Sequence, residues 1–165
     1  MAKKKQKPSK TPGELLVCSA PKAQRDYEIQ ERLECGIMLT GSEVKALRAK
    51  RADLEGAYAT VDNMELYLHG MHVGPYEQAG RFGHEARRKR KLLAHKREIE
   101  RLHGRVSQRG YALVPLRVYF KNGRAKVEIA LAKGRKVADQ RQALRKKIDM
   151  REAQSAMNSA IKRGK

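Results

Sequence analysis

Tryptophan is absent from the 165 residues, cysteine occurs only twice, and aromatic side chains make up 5%. Cys18 and Cys35 show no metal-type spacing, which excludes a disulfide framework and a zinc knuckle and leaves reduced thiols in cytosol. No apolar run comes near the roughly 18 residues of a membrane-spanning helix, and Met1-Ala2-Lys3-Lys4-Lys5 is not followed by a signal-peptide apolar stretch. A soluble, cytoplasmic protein with no membrane contact is expected. The templates of catalysis are missing too: there is no phosphate-cradling Gly-x-x-x-x-Gly-Lys, no Gly-x-Ser-x-Gly and no His-Glu-x-x-His. His69 and His72, three apart on one strand, would face opposite ways, and no histidine has cysteine or acidic partners at metal spacing. Neither an enzyme, a metal site nor a cofactor is expected.

Acidic residues are what the C-terminal half lacks most. Lys and Arg number 38 against 18 Asp and Glu, a formal charge of +20. Residues 1–12 hold five Lys and no acid, residues 13–80 hold 7 basic and 11 acidic side chains, and residues 81–165 hold 26 basic and 7 acidic ones. So polarised an excess calls for a polyanion and assigns it to one side of the molecule. Composition divides the chain into a basic mobile arm over 1–19, one domain with a nucleic-acid-facing side over 20–132, and a basic tail over 133–165. In the tail, Leu144 and Ile148 lie four apart on a thin apolar stripe, so it is expected to be disordered alone and helical when bound.

Within the domain, Tyr27, Ile29 and Leu33 alternate with polar neighbours as in a half-buried strand, which Gly36 should end or bend. Thr40-Gly41-Ser42-Glu43 has the spacing of a capping box and predicts a short helix over 43–50, with Val44 and Leu47 inward. Strands are predicted over 57–61 and 65–73 across an Asp62-Asn63 turn, and a loop over 74–83. Leu92, Ile99, Leu102 and Val106 recur at intervals of 7, 3 and 4, predicting one long helix over 85–106 with Arg87, Arg88, Arg90, Lys91, Arg97 and Arg101 opposite. The run Arg87-Arg88-Lys89-Arg90-Lys91 then reads as a phosphate-binding face. Asn122-Gly123 predicts a type I′ turn joining two alternating strands over 111–132, with Val114, Leu116, Val118 and Phe120 on the core face. These elements fit a mainly β fold with two or three helices, a small closed or nearly closed β-barrel of the oligonucleotide-binding type. Glu34 and Glu43 are unusual acids in such a chain. A strand-edge salt bridge and a helix cap explain them, and a carboxylate can also accept from base amino groups.

Several of these residues carry a resemblance. Asp26-Tyr27, Glu34 to Gly36, Leu39-Thr40-Gly41-Ser42-Glu43-Val44-Lys45, Leu47-Arg48, Ala57-Tyr58, Pro75-Tyr76 and Arg90-Lys91-Leu92-Leu93 are followed in order by Glu98-Ile99, Leu102, Val114-Pro115-Leu116, Tyr119-Phe120, Lys126-Val127, Ala132-Lys133-Gly134, Asp139 and Arg141. From about residue 20 to 145 the chain resembles the SmpB family, the SsrA-binding proteins. The resemblance implies an oligonucleotide-binding-type barrel that grips the tRNA-like part of transfer-messenger RNA and delivers it to stalled ribosomes for trans-translation. It implies a monomer without cofactor, which meets elongation factor Tu only indirectly through the alanyl-charged RNA. Carried over by position, it places Glu34, Gly36, Gly41, Glu43, Lys45, Arg48, Arg90, Lys91, Leu92 and Lys126 at the RNA surface. Lys133, Gly134, Arg135, Lys136, Asp139 and Arg141 would enter the decoding centre and the empty mRNA channel. Ala138 and Gln140 depart from the family, which has an aromatic side chain or His at the first position and Lys at the second.

Overall fold

The computed structural model describes residues 13–76, 83–108, 110–135 and 150. Along them run β1 (Glu14–Ser19), α1 (Pro21–Asp26), β2 (Tyr27–Ile37), α2 (Gly41–Arg48), β3 (Ala52–Asp53), β4 (Tyr58–Asp62), β5 (Glu65–His69), β6 (His72–Val73), β7 (Arg90–Leu93), α3 (Lys96–Val106), β8 (Tyr111–Lys121) and β9 (Arg124–Gly134). Seven strands make one antiparallel sheet in the order β1-β8-β4-β5-β7-β2-β9, and an additional β8–β9 pairing turns it into a ring. The short β3 and β6 pair separately. The expectation of a mainly β fold with a few helices therefore holds. Among the described residues no helix is long and apolar enough to cross a membrane.

The three longest strands carry the ring. Asn122 and Gly123 adopt φ of 50° and 74°, the left-handed pair that a type I′ turn requires, and so fix Lys121 opposite Arg124 and Tyr119 opposite Lys126. On the other edge of β9, β2 pairs from Tyr27↔Gly134 to Gly36↔Lys126. Both outer strands slip register once, at Gln30 in β2 and at Leu116 in β8. An extra residue in a strand moves everything beyond it to the opposite face. Val114, Leu116, Ala130 and Ala132 therefore form a small cluster with Ala23, Tyr27 and Ile29, whereas Val118, Phe120, Cys35 and Leu33 belong to the main core. The single core face read through Val114 to Phe120 is thus two faces.

Four further expectations are corrected. Gly36 is not the last residue of β2, which ends one residue further on at Ile37. It is small because β7 crosses it, and a Cβ there would lie 3.2 Å from that of Leu93. The helix read over 85–106 begins only at Lys96, because Arg90–Leu93 is claimed as a strand by β5 on one side and β2 on the other. The start of α3 has its own signal, a capping box in which the Glu98 carboxylate accepts from the His95 amide at 3.0 Å. Residues 14–19, read with the mobile arm, form β1 on the edge of β8. The tail begins two residues later than composition suggested, since Lys133 and Gly134 are paired sheet residues.

The predicted capping box of α2 is present, with the Thr40 amide donating to the Glu43 carboxylate at 2.8 Å. The continuous strand expected over 65–73 breaks at Gly70, whose φ is +73° and where a Cβ would sit 3.1 Å from the Gly56 carbonyl oxygen. Both backbone strain and a clash with main chain follow from a side chain there. Gly70→Ala is therefore expected to lower stability by about 2 kcal/mol in urea unfolding, whereas Gly41→Ala, at a site with open space and no left-handed φ, should cost nothing measurable.

Candidate nucleic-acid interface

The five-cation run is divided by its strand. In β7 Arg90 and Leu92 point inward, and Lys91 and Leu93 outward. Arg90 is fully buried, its guanidinium donating to Glu43 at 2.9 Å and to the carbonyls of Met71 at 2.7 Å, Arg88 at 3.1 Å and Ala86 at 3.2 Å. Arg88 reaches the same carboxylate at 2.9 and 2.6 Å. Lys89 pairs with Asp62 at 3.0 Å and lies 3.9 Å from the Tyr67 ring centroid, and Lys91 bonds Glu65, which holds the lysine pKa above its ordinary value. Among the described residues only Arg87 of the run has no acid partner. The run as a whole is consequently no bare phosphate-binding face. Lys89 and Lys91 remain available because exposed ion pairs hold weakly and a phosphate can displace the carboxylate.

A stripe of outward side chains crosses the sheet from β9 to β7. Lys126 on β9 lies opposite Gly36 on β2, which lies opposite Leu93 on β7, with Glu34 and Lys91 two residues to either side. Glu34 is exposed and accepts from the Tyr119 hydroxyl at 2.5 Å and from Lys121 at 3.0 Å, with Lys126 at 3.9 Å. The Tyr119 hydrogen bond, aided by Lys121 and Lys126, holds the Glu34 carboxyl below its usual range. Burial, then the same bond, pushes the Tyr119 phenol up. Glu34 is thus a fixed anion with room for further donors, the state in which it can accept from a base amino group. Beside it, a cleft of about 410 Å³ runs between Gly36, Leu93, Val44, Phe120 and Lys126. α2, whose Val44 lines this cleft, also carries Lys45, 5.2 Å from the Tyr76 ring centroid, and Arg48, 5.9 Å from that of Phe120.

Of the ten residues expected at the RNA surface, Glu34, Gly36, Lys91 and Lys126 therefore come together, and Gly41, Lys45 and Arg48 stand exposed on the neighbouring α2. Glu43, Arg90 and Leu92 do not reach the surface, being 0%, 0% and 1% exposed. They position it instead: Glu43 ties α2 to β7, and Leu92 packs in the core beneath Lys91 and Leu93. Tyr119 and Leu93 stand in the motifs that carry the resemblance but were given no place at the RNA surface, and Lys121 was missed altogether. The Asn122-Gly123 turn carried the signal for Tyr119 and Lys121, because its two-residue register places Tyr119 opposite Lys126 and sets Lys121 on the same face. Of the tail set, Lys133 and Gly134 lie in β9 and the Arg135 amide donates to the Asp26 carbonyl at 3.1 Å. Lys136, Asp139 and Arg141 lie outside the described residues.

No three His, Cys, Asp or Glu side chains gather as metal ligands among the described residues. Cys18 and Cys35 are free, and burial pushes their thiols to about 11 and about 12, so both are protonated and unreactive at neutral pH.

Comparison with known proteins decides the family. Residues 17–159 match the SmpB protein family. The chain belongs to that family. An SsrA-binding protein of Pelobacter propionicus is 48% identical over 147 residues, covering 89% of this chain and 97% of the relative. One of Desulforudis audaxviator is 54% identical over 139 residues, covering 84% and 91%. A solved chain, from the structure presented as "tmRNA-SmpB: a journey to the center of the bacterial ribosome", superposes with a TM-score of 0.62 at 47% identity, covering 73% of this chain and 85% of that one. The SmpB assignment thus spans the ring and extends into the tail.

Proposed function

We propose that this SmpB-family chain binds the tRNA-like domain of transfer-messenger RNA through the stripe from Lys126 to Lys91 and carries it, in the cytoplasm, to stalled ribosomes. The observation that carries the reading is the convergence on one outward face of Glu34, Gly36, Lys91 and Lys126 in a chain whose relatives are SsrA-binding proteins. In this reading the closed sheet is a barrel of the oligonucleotide-binding type. Its cations supply affinity, and the fixed Glu34 carboxylate and the adjoining cleft supply recognition of shape and exposed bases. The chain catalyses nothing, and elongation factor Tu meets it only through the charged RNA. The tail beyond Arg135, which carries nine basic and three acidic residues, enters the decoding centre and the empty mRNA channel and folds there against ribosomal RNA.

Charge reversal tests the interface. Lys126→Glu and Lys91→Glu are each expected to weaken binding to the tRNA-like domain about tenfold, and Lys126→Ala to reduce the salt slope by about one. Unchanged affinity in a gel-shift titration for both reversals would place the RNA elsewhere.

A further inference from the structure

On the far side of Phe120 from the interface cleft lies a second concavity. β1, α1, α2 and β8 enclose about 920 Å³ between Leu15, Leu16, Arg48, Lys50, Leu116 and Phe120. Its walls are apolar, and Leu15 and Leu16 stand 72% and 49% exposed. Phe120 and Gly123 wall both the groove and the interface cleft, so the two are continuous around the β8–β9 turn. Of the cations at its mouth, Arg117 is committed to Glu14 at 3.2 Å and to Glu128. Arg48 and Lys50 have no acid partner among the described residues, and the Arg48 guanidinium lies 5.9 Å from the Phe120 ring centroid.

We propose that this groove receives one or two unstacked bases from a loop of the bound RNA, with Arg48 and Lys50 taking the adjoining phosphates. The inference rests on the proposed function and deepens it. The volume falls in the usual range for small-ligand sites, roughly 300–1,000 Å³. Apolar walls flanked by an aromatic ring and a guanidinium plane are what a splayed base needs for stacking, and a base leaves the stack only in loops and bulges. Charge selects among occupants. Residues 1–12 bring five Lys and no acid, and residues 136–165 bring nine basic and three acidic side chains, so either end of the chain would meet Arg48 and Lys50 with like charge. A polyanion complements them.

The test uses the full chain and a stem-loop RNA carrying 2-aminopurine in its loop, compared with the same stem closed as a continuous duplex. The wild-type chain is expected to bind the stem-loop about tenfold more tightly than the duplex and to quench the loop fluorescence. Leu15→Glu, at a surface position whose thermal melt should not move, is expected to abolish both the quench and the preference while leaving duplex affinity unchanged. Arg48→Ala should weaken stem-loop binding and lower its salt slope by about one. If Leu15→Glu keeps the quench and the preference, the groove holds no base. Loss of affinity in Lys126→Glu with none in Leu15→Glu would end this inference and keep the proposed function, and loss in neither would end both. A peptide of residues 136–165 that binds wild type but not Leu15→Glu would assign the groove to the tail and overturn the proposal.

Discussion

Glu43→Ala is expected to destabilise the chain by about 3–5 kcal/mol and to lower the thermal midpoint by roughly 10–20 °C. The Glu43 carboxylate is wholly buried and accepts from the Thr40 amide at 2.8 Å, from Arg88 at 2.6 Å and from Arg90 at 2.9 Å. Deleting it leaves the Arg90 guanidinium, equally buried, without a counter-charge, and takes away the reciprocal half of the α2 cap, itself worth about 1 kcal/mol. The double variant Glu43→Leu, Arg90→Met should recover most of the loss, since apolar replacement of both partners removes the desolvation cost together with the attraction. Failure of the double variant to recover would mean that the carbonyl bonds of Arg90 to Met71 and Ala86, rather than the ion pair, hold the segment before β7.

The same group sets a pH dependence. Burial alone would raise the Glu43 carboxyl, but the Arg88 and Thr40 hydrogen bonds and the Arg90 charge outweigh it and hold it below its ordinary 4.5. Its folded value lies below its unfolded one, so its stabilisation is complete above the unfolded value and is lost as pH falls through the folded one. Urea titrations from neutral pH down into the acid range should show wild-type stability falling below about pH 4.5. In Glu43→Gln, which starts lower, the fall should be shallower.

Removal of residues 136–165 is expected to leave affinity for transfer-messenger RNA within about twofold while tagging of stalled peptides drops to background. The cut belongs after Arg135, because Gly134 pairs with Tyr27, Lys133 with Tyr111, and the Arg135 amide with the Asp26 carbonyl. A cut at Ala132 would strip paired residues from the ring and confuse a folding defect with a functional one. A reconstituted translation reaction on a message lacking a stop codon, read by the appended tag, measures the effect. Tagging retained by the shortened chain would show that the tail does not act in the ribosome.

The parts of the fold legible in the sequence were those fixed by neighbours along the chain. The Asn122-Gly123 turn and the Thr40–Glu43 capping box each involve residues within three positions, and both stand as read. What was not legible depended on distant partners. Leu92, Ile99 and Leu102 keep helical spacing across a break because a strand of four residues is too short to impose its own period, and only β5 and β2 on either side hold it extended. Arg90 looked like a surface cation because its acid lies 47 residues away. The slips at Gln30 and Leu116 arise from pairing and leave no mark in composition. Of the proposed interface, Glu34 and Lys126 were expected through family resemblance, while Tyr119 and Lys121, which complete the Glu34 anion site, were not assigned and had their one signal in the hairpin register.

The most direct test is a titration of transfer-messenger RNA with the full chain and with the chain ending at Arg135, against a tRNA-sized competitor at low and moderate salt. Binding through phosphates alone collapses by about a thousandfold or more between 50 and 200 mM salt for 6 to 10 contacts. Both chains should bind selectively and keep most of that selectivity at the higher salt. Unselective binding, or binding that needs the tail, would contradict a specific RNA site on the ring and point instead to a general basic ribosome-associated protein.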